Sequence, residues 1–113
     1  MIIYNVEISI IKEHQTDFLM WMVEEHIPEV LASGYFSDAK FLQVLDPEDE
    51  NNIHFEVQYD CDSLEKLREY RQVAAPGLIK KTEAKFGGKF TAKRTIMAYL
   101  NLKSDRVKTV ISH

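Results

Sequence analysis

His26 is the residue in this chain whose type and setting best suit it to move a proton. A neutral imidazole can take a proton from an acidic carbon or a phenol near neutral pH. It sits in the run Trp21-Met22-Val23-Glu24-Glu25-His26-Ile27-Pro28-Glu29-Val30-Leu31, which reads as an amphipathic helix interrupted by a proline. Proline inside a helix removes a hydrogen bond and crowds the carbonyl four residues back, at about 3 kcal/mol. Here that carbonyl belongs to Glu24, beside the histidine and one turn from the only tryptophan. The residues carry a second reading. His26 shares its face with Met22 and Val30, and a histidine on an apolar stripe is usually a buried ring satisfied by a backbone carbonyl. Trp21 likewise either caps the core or walls a pocket for a planar ligand, with Tyr4, Phe36 and Tyr59 as neighbours.

A second set of polar groups lies on strands. Asn5 and Glu7 alternate with apolar residues early in the chain, and His54, Glu56 and Gln58 do so in the middle. Together with Trp21 and Tyr59 they are the candidate ligand-binding residues, with His26 as the candidate catalytic one. The alternative for the five polar residues is a solvated sheet face. His54-x-Glu56 offers two metal ligands at i and i+2, too few to assign a metal site. There is no glycine-rich phosphate loop, no His-Glu-x-x-His and no nucleophile elbow, and no cofactor is called for.

The elements that position these groups follow from periodicity. Ile2, Tyr4, Val6, Ile8 and Ile10 point one way and Ile3, Asn5, Glu7, Ser9 and Ile11 the other, which is a strand. Residues 15–33 form a helix with Leu19, Met22, Val23, His26, Ile27 and Val30 as its stripe, Thr16 or Asp17 as N-cap and Gly34 just past the end. Residues 38–46 and 53–60 read as strands joined by the polar turn Asp46-Pro47-Glu48-Asp49-Glu50-Asn51-Asn52. Asp62 and Glu65 resemble a capping box opening a second helix that runs to Phe86 with a break at Pro76-Gly77. Gly87-Gly88 ends it, and residues 89–101 form the last strand. The order β-α-β-β-α-β is the ferredoxin-like α+β arrangement: a four-stranded antiparallel sheet with both helices on one face. Residues 1–101 make the domain and 102–113 a polar C-terminal tail.

Composition bounds the function. The chain has 113 residues, 45% hydrophobic and 28% charged, one globular domain's worth. One cysteine, Cys61, excludes an internal disulfide and any multi-cysteine metal site. The N-terminal run carries Asn5 and Glu7 without a basic leader, so neither a signal peptide nor a membrane span is expected, and the cytoplasm is the expected compartment. The net charge of −4 hides an asymmetry: residues 1–62 carry −12 and residues 63–113 carry +8. Mutual neutralisation in the fold or across a dimer accounts for this better than a nucleic-acid surface, since nucleic-acid domains are usually basic overall.

Several motifs then agree in order: Met1-Ile2-Ile3-Tyr4-Asn5-Val6, Trp21-Met22 through Glu25-His26-Ile27-Pro28, Val30-Leu31, Gly34-Tyr35-Phe36, Gln58-Tyr59, Phe86-Gly87-Gly88-Lys89-Phe90 and Arg94-Thr95. Over residues 1–101 the chain resembles an uncharacterised bacterial domain-of-unknown-function family. More loosely it is similar to the dimeric α/β-barrel superfamily, in which two ferredoxin-like subunits pair their sheets. That resemblance implies a homodimer and a class holding cofactor-less monooxygenases, lactone isomerases, haem-handling enzymes and ligand sensors. It implies no particular catalytic residue. The expected function is small-molecule binding, as a cofactor-independent monooxygenase- or isomerase-like enzyme or, alternatively, as a non-catalytic ligand-sensing or protein-interaction module.

Overall fold

A computed structural model describes residues 1–100. The expected C-terminal tail, residues 102–113, and the domain boundary at 101 lie outside the described residues. The chain forms strand β1 (Ile2–Ile11), a 3-10 turn (Lys12–His14), helix α1 (Gln15–Trp21), a π-helical turn (Met22–His26) and helix α2 (Ile27–Ala32). Strands β2 (Asp38–Gln43) and β3 (Asn52–Cys61), helices α3 (Leu64–Val73) and α4 (Ala75–Phe86), and strand β4 (Phe90–Ala98) follow. The strands pair antiparallel in the order β2-β3-β1-β4, which is the ferredoxin-like α+β topology.

The alternation read from the sequence sets the two faces of this sheet. Ile2, Tyr4, Ile8 and Ile10 of β1 are buried beneath the helices with Phe55, Val57, Tyr59 and Cys61 of β3. The opposite, outer face carries Asn5, Glu7 and Ser9 beside Gln58, Glu56 and His54 in register. Two aromatic clusters fill the inner layer. Phe18, Trp21, Phe55 and Phe86 meet at one end, with ring centroids 5.2 Å apart for Phe18–Phe86. Tyr4, Phe36, Tyr59 and Tyr70 meet at the other, closest for Phe36–Tyr70 at 4.6 Å.

Local signals were legible to within a few residues. Gly34 and Gly88 have φ of 85° and 77°, a region where a Cβ is strained, so glycine ends both helical segments. The first helical segment starts in the 3-10 turn, before Thr16 and Asp17, neither of which caps it. The cap of α3 is Ser63, whose Oγ accepts from the Lys66 amide at 3.2 Å, one residue after Asp62. The break in the second helical segment lies at Ala74 rather than at Pro76-Gly77. Pro76 occupies the first turn of α4, where no amide hydrogen is needed.

The helical stripe needs a larger correction. Leu19 and Val23 are exposed, at 38% and 54%, whereas Phe18, Trp21, Met22 and Val30 are buried. The inward row is 18-22-26-30. In the π-turn the Ile27 amide bonds the Met22 carbonyl five residues back, which widens the helix just ahead of Pro28. Pro28 then falls in the first turn of α2. The extra residue rotates the helix, so a 3.6-residue period fitted across the whole segment misplaces its face.

Candidate functional site

A cavity of about 370 Å³ lies between the helices and the inner face of the sheet. Its walls are apolar, with Val6, Ile8, Phe18, Met22, Val30 and Leu78 among them. Polar groups enter from five elements: His26 from the π-turn, Tyr4 from β1, Tyr59 from β3, Tyr70 from α3 and Arg94 from β4. Ile79, Glu83, Thr91 and Arg94 are the exposed lining residues, so the mouth lies between α4 and the edge strand β4.

His26 stands in this wall half-buried, its ring stacked on Trp21 with centroids 4.8 Å apart and planes 20° apart. Among the described residues it makes no hydrogen bond, so the backbone-carbonyl partner expected of a structural histidine is absent from them. Burial lowers its pKa first of all. Glu29 and Glu25 push it upward and the positive charge of Arg94 pushes it downward, leaving the imidazole below its ordinary value. The ring is therefore neutral at pH 7, with at least one nitrogen lone pair uncommitted. Trp21 backs His26 from outside the cavity. Its neighbours are Phe18, His26 and Phe86, not the expected Tyr4, Phe36 and Tyr59, because it lies at the other end of the helical layer.

Tyr59 is buried in the cavity, and burial raises its phenol well above the ordinary value, helped by the nearby Tyr70 and Tyr4. Burial likewise pushes Tyr70 up to about 12, Tyr4 adding to the effect and Arg94 opposing it. Both phenols are O–H donors throughout the physiological range.

Asn5, Glu7, His54, Glu56 and Gln58 lie on the outer face and line no part of the cavity holding His26. The sheet itself separates the two sets, because alternate residues of a strand project to opposite sides. On the outer face the Asn5 Nδ2 donates to Glu56 Oε1 at 2.9 Å, and the Asn5 Oδ1 is buried without a partner among the described residues. His54 is held at both nitrogens: Nδ1 lies 2.7 Å from Ser9 Oγ, and Nε2 lies 2.8 Å from the Asp49 carbonyl. The carbonyl can only accept, so Nε2 carries the proton and Nδ1 accepts from the Ser9 hydroxyl. With both nitrogens engaged, His54 is not poised to share a metal with Glu56. Glu7, His54 and Glu56 border a shallow depression beneath the β2–β3 loop.

Arg94 was not among the candidate site residues. A signal for it exists in the pattern Phe90-x-Ala92-x-Arg94-x-Ile96, which places an arginine in the apolar phase of β4. Its register opposite Val6 brings it to the inner face. Thr82 and Glu83, on α4, were also missed; they face the cavity only because of how α4 packs.

Solved structures similar to this one share its fold. An ethyl tert-butyl ether D family protein from Bacillus halodurans matches with a TM-score of 0.64 and 16% identity, covering 88% of this chain and all of that one. An inferred antibiotic biosynthesis monooxygenase from Nitrosomonas europaea matches with a TM-score of 0.63 and 15% identity, covering 89% of this chain and all of its own. A dimeric ferredoxin-like protein from an uncultured marine organism gives 0.61 and 10%, covering 89% of this chain and 96% of that one. No curated protein matches the sequence. The family model described as a domain of unknown function, DUF4286, matches residues 1–100, and the chain belongs to that family.

Proposed function

We propose that this protein binds a small, mainly apolar molecule in the cavity between its helices and its sheet, and that His26 acts there as a general base. The observation that carries this is a neutral imidazole with no hydrogen-bond partner among the described residues, facing an apolar cavity of about 370 Å³. A volume of this size suits one or two fused rings and falls within the usual range of ligand sites. His26 would break a C–H or O–H bond of the ligand, taking the proton and leaving the electron pair as an enolate or phenolate. Return of that proton to another carbon would complete an isomerisation. Reaction of the anion with dioxygen as co-substrate would be the oxygenase outcome. Neither needs a cofactor. The monooxygenase name carried by one structural neighbour supports the second route by analogy of fold only.

The same cavity supports a second reading, a ligand-sensing module without chemistry. The observation favouring it is that His26 stacks on Trp21 but has no group holding either nitrogen in place, whereas a general base is usually oriented by a third residue. In both readings the protein is a homodimer pairing through the outer sheet face, which no helix among the described residues covers; a dimeric structural neighbour supports this.

The test is a thermal-shift screen of small aromatic and polyketide-like compounds. A hit should raise the melting temperature of the parent but not of Thr82→Trp, which fills the cavity from a half-buried position on α4. No hit, or equal shifts in both proteins, would overturn the cavity as the site. Solvent-deuterium incorporation into a bound carbon acid, abolished in His26→Gln, would favour the enzyme. Binding without exchange would favour the sensor.

A further inference from the structure

We propose that the ligand of this cavity is an anion, an apolar ring body bearing a carboxylate, sulfonate, enolate or phenolate oxygen, and that Arg94 is the residue that selects it. The inference rests on the cavity being the binding site and goes further by naming the charge of the ligand.

The first observation is the state of Arg94. It lines the cavity from β4, yet among the described residues it forms neither an ion pair nor a hydrogen bond. A guanidinium carries five N–H donors and keeps its charge at any pH a protein meets. Its strand neighbours explain why it stands out. Lys93 faces the outer side opposite Glu7, whereas Arg94 faces the inner side opposite Val6, between Ala92 and Ile96 in its own phase. A surface lysine is solvated wherever it projects. An arginine in the apolar phase of an edge strand projects over the cavity mouth and brings its charge there.

The second observation is the rest of the polar inventory. Tyr4, Tyr59 and Tyr70 present phenols to the same space, and Tyr59 and Tyr70 are held in the protonated, donating form by burial. Thr82 already donates its hydroxyl to the Leu78 carbonyl at 3.2 Å. The carboxylate of Glu83 lines the cavity too; it and Arg94 are both among the exposed residues of the mouth, where water screens both charges, so the anion preference rests on Arg94 acting together with the buried phenols. The three buried phenols can each donate a hydrogen bond, and the half-buried His26 offers a nitrogen acceptor. Donors clustered around an apolar space match an oxyanion on a ring, because charge-assisted hydrogen bonds to an anion are about twice as strong as neutral ones. A neutral hydrocarbon would leave the buried phenols unpaired, which costs binding free energy, and would gain nothing from the guanidinium at the mouth. The arrangement also fits the base chemistry. Removing a proton at His26 leaves an anion, and Arg94 is the cation positioned to stabilise it.

The test uses two fluorescent probes with the same rings and different charge: anilinonaphthalenesulfonate, an anion, and N-phenylnaphthylamine, which is neutral. Both are titrated into the parent, Arg94→Met, Arg94→Lys and Lys93→Met. Arg94→Met should weaken the sulfonate probe by about tenfold or more and leave the neutral probe within about twofold. Arg94→Lys should recover part of the loss, since it restores charge without the planar fork. Lys93→Met, one residue away on the other face, should change neither. Equal affinity of the parent for both probes, equal losses of both in Arg94→Met, or the same sulfonate loss in Lys93→Met would overturn the anion preference while leaving the cavity reading intact. Failure of the parent to bind either probe would overturn both.

Discussion

Replacing His26 with Phe isolates the titration of one ring from its packing. Phe preserves an aromatic face against Trp21, whose ring lies 4.8 Å from the imidazole in the native protein. Aromatic pairs contribute about 0.5–1.5 kcal/mol beyond area burial, so at about pH 8, where both proteins are neutral at this position, stabilities should agree to within roughly that range. They should diverge on acidification. Burial, with Arg94 assisting, holds the folded-state pKa of His26 below the unfolded value of 6.5. As pH falls through that window the unfolded chain takes up a proton that the folded chain does not. The native protein therefore loses stability relative to the variant, by at most about 1.4 kcal/mol per pH unit for one proton. Below the folded pKa both states are protonated and the difference levels off. Urea melts of both proteins across this range supply the measurement. Subtraction removes His14, His54, His113 and the carboxylates, which are common to both. A difference that stays flat from about pH 8 down to about pH 5, or one in which the native protein gains, would refute the claim that His26 is a half-buried neutral base.

Two further outcomes are expected. Pro28→Ala should not raise the melting temperature and should cost up to about 1 kcal/mol, because the π-turn already accommodates Pro28 in the first turn of α2 and the substitution enlarges the unfolded ensemble; a clear rise would show that the turn is strained by the proline. Sedimentation at micromolar concentration should give a species near twice the mass of the 13.2 kDa chain, and a monomer persisting at high concentration would remove the sheet-face pairing.

The sequence alone determined the order of elements and the two faces of the sheet. Period-two alternation in residues 2–11 and 53–60 is a local property of a pleated strand, and the structure keeps the same residues on the same faces. Glycine positions fixed the helix ends for the same local reason, since positive φ needs no tertiary partner. His26 was legible as a candidate because an imidazole among apolar residues is conspicuous in one dimension. The inward row of its helix was not legible, because the π-turn shifts the phase and a fixed period cannot register an inserted residue. Which polar groups meet was decided only in three dimensions. Asn5, Glu7, His54, Glu56 and Gln58 share a face with one another, but the sheet stands between them and His26. Arg94 is 68 residues from His26 along the chain, and nothing local joins them. Antiparallel pairing sets Arg94 opposite Val6, the packing of helices on the inner face sets His26 above it, and the cavity between them exists only once both are in place.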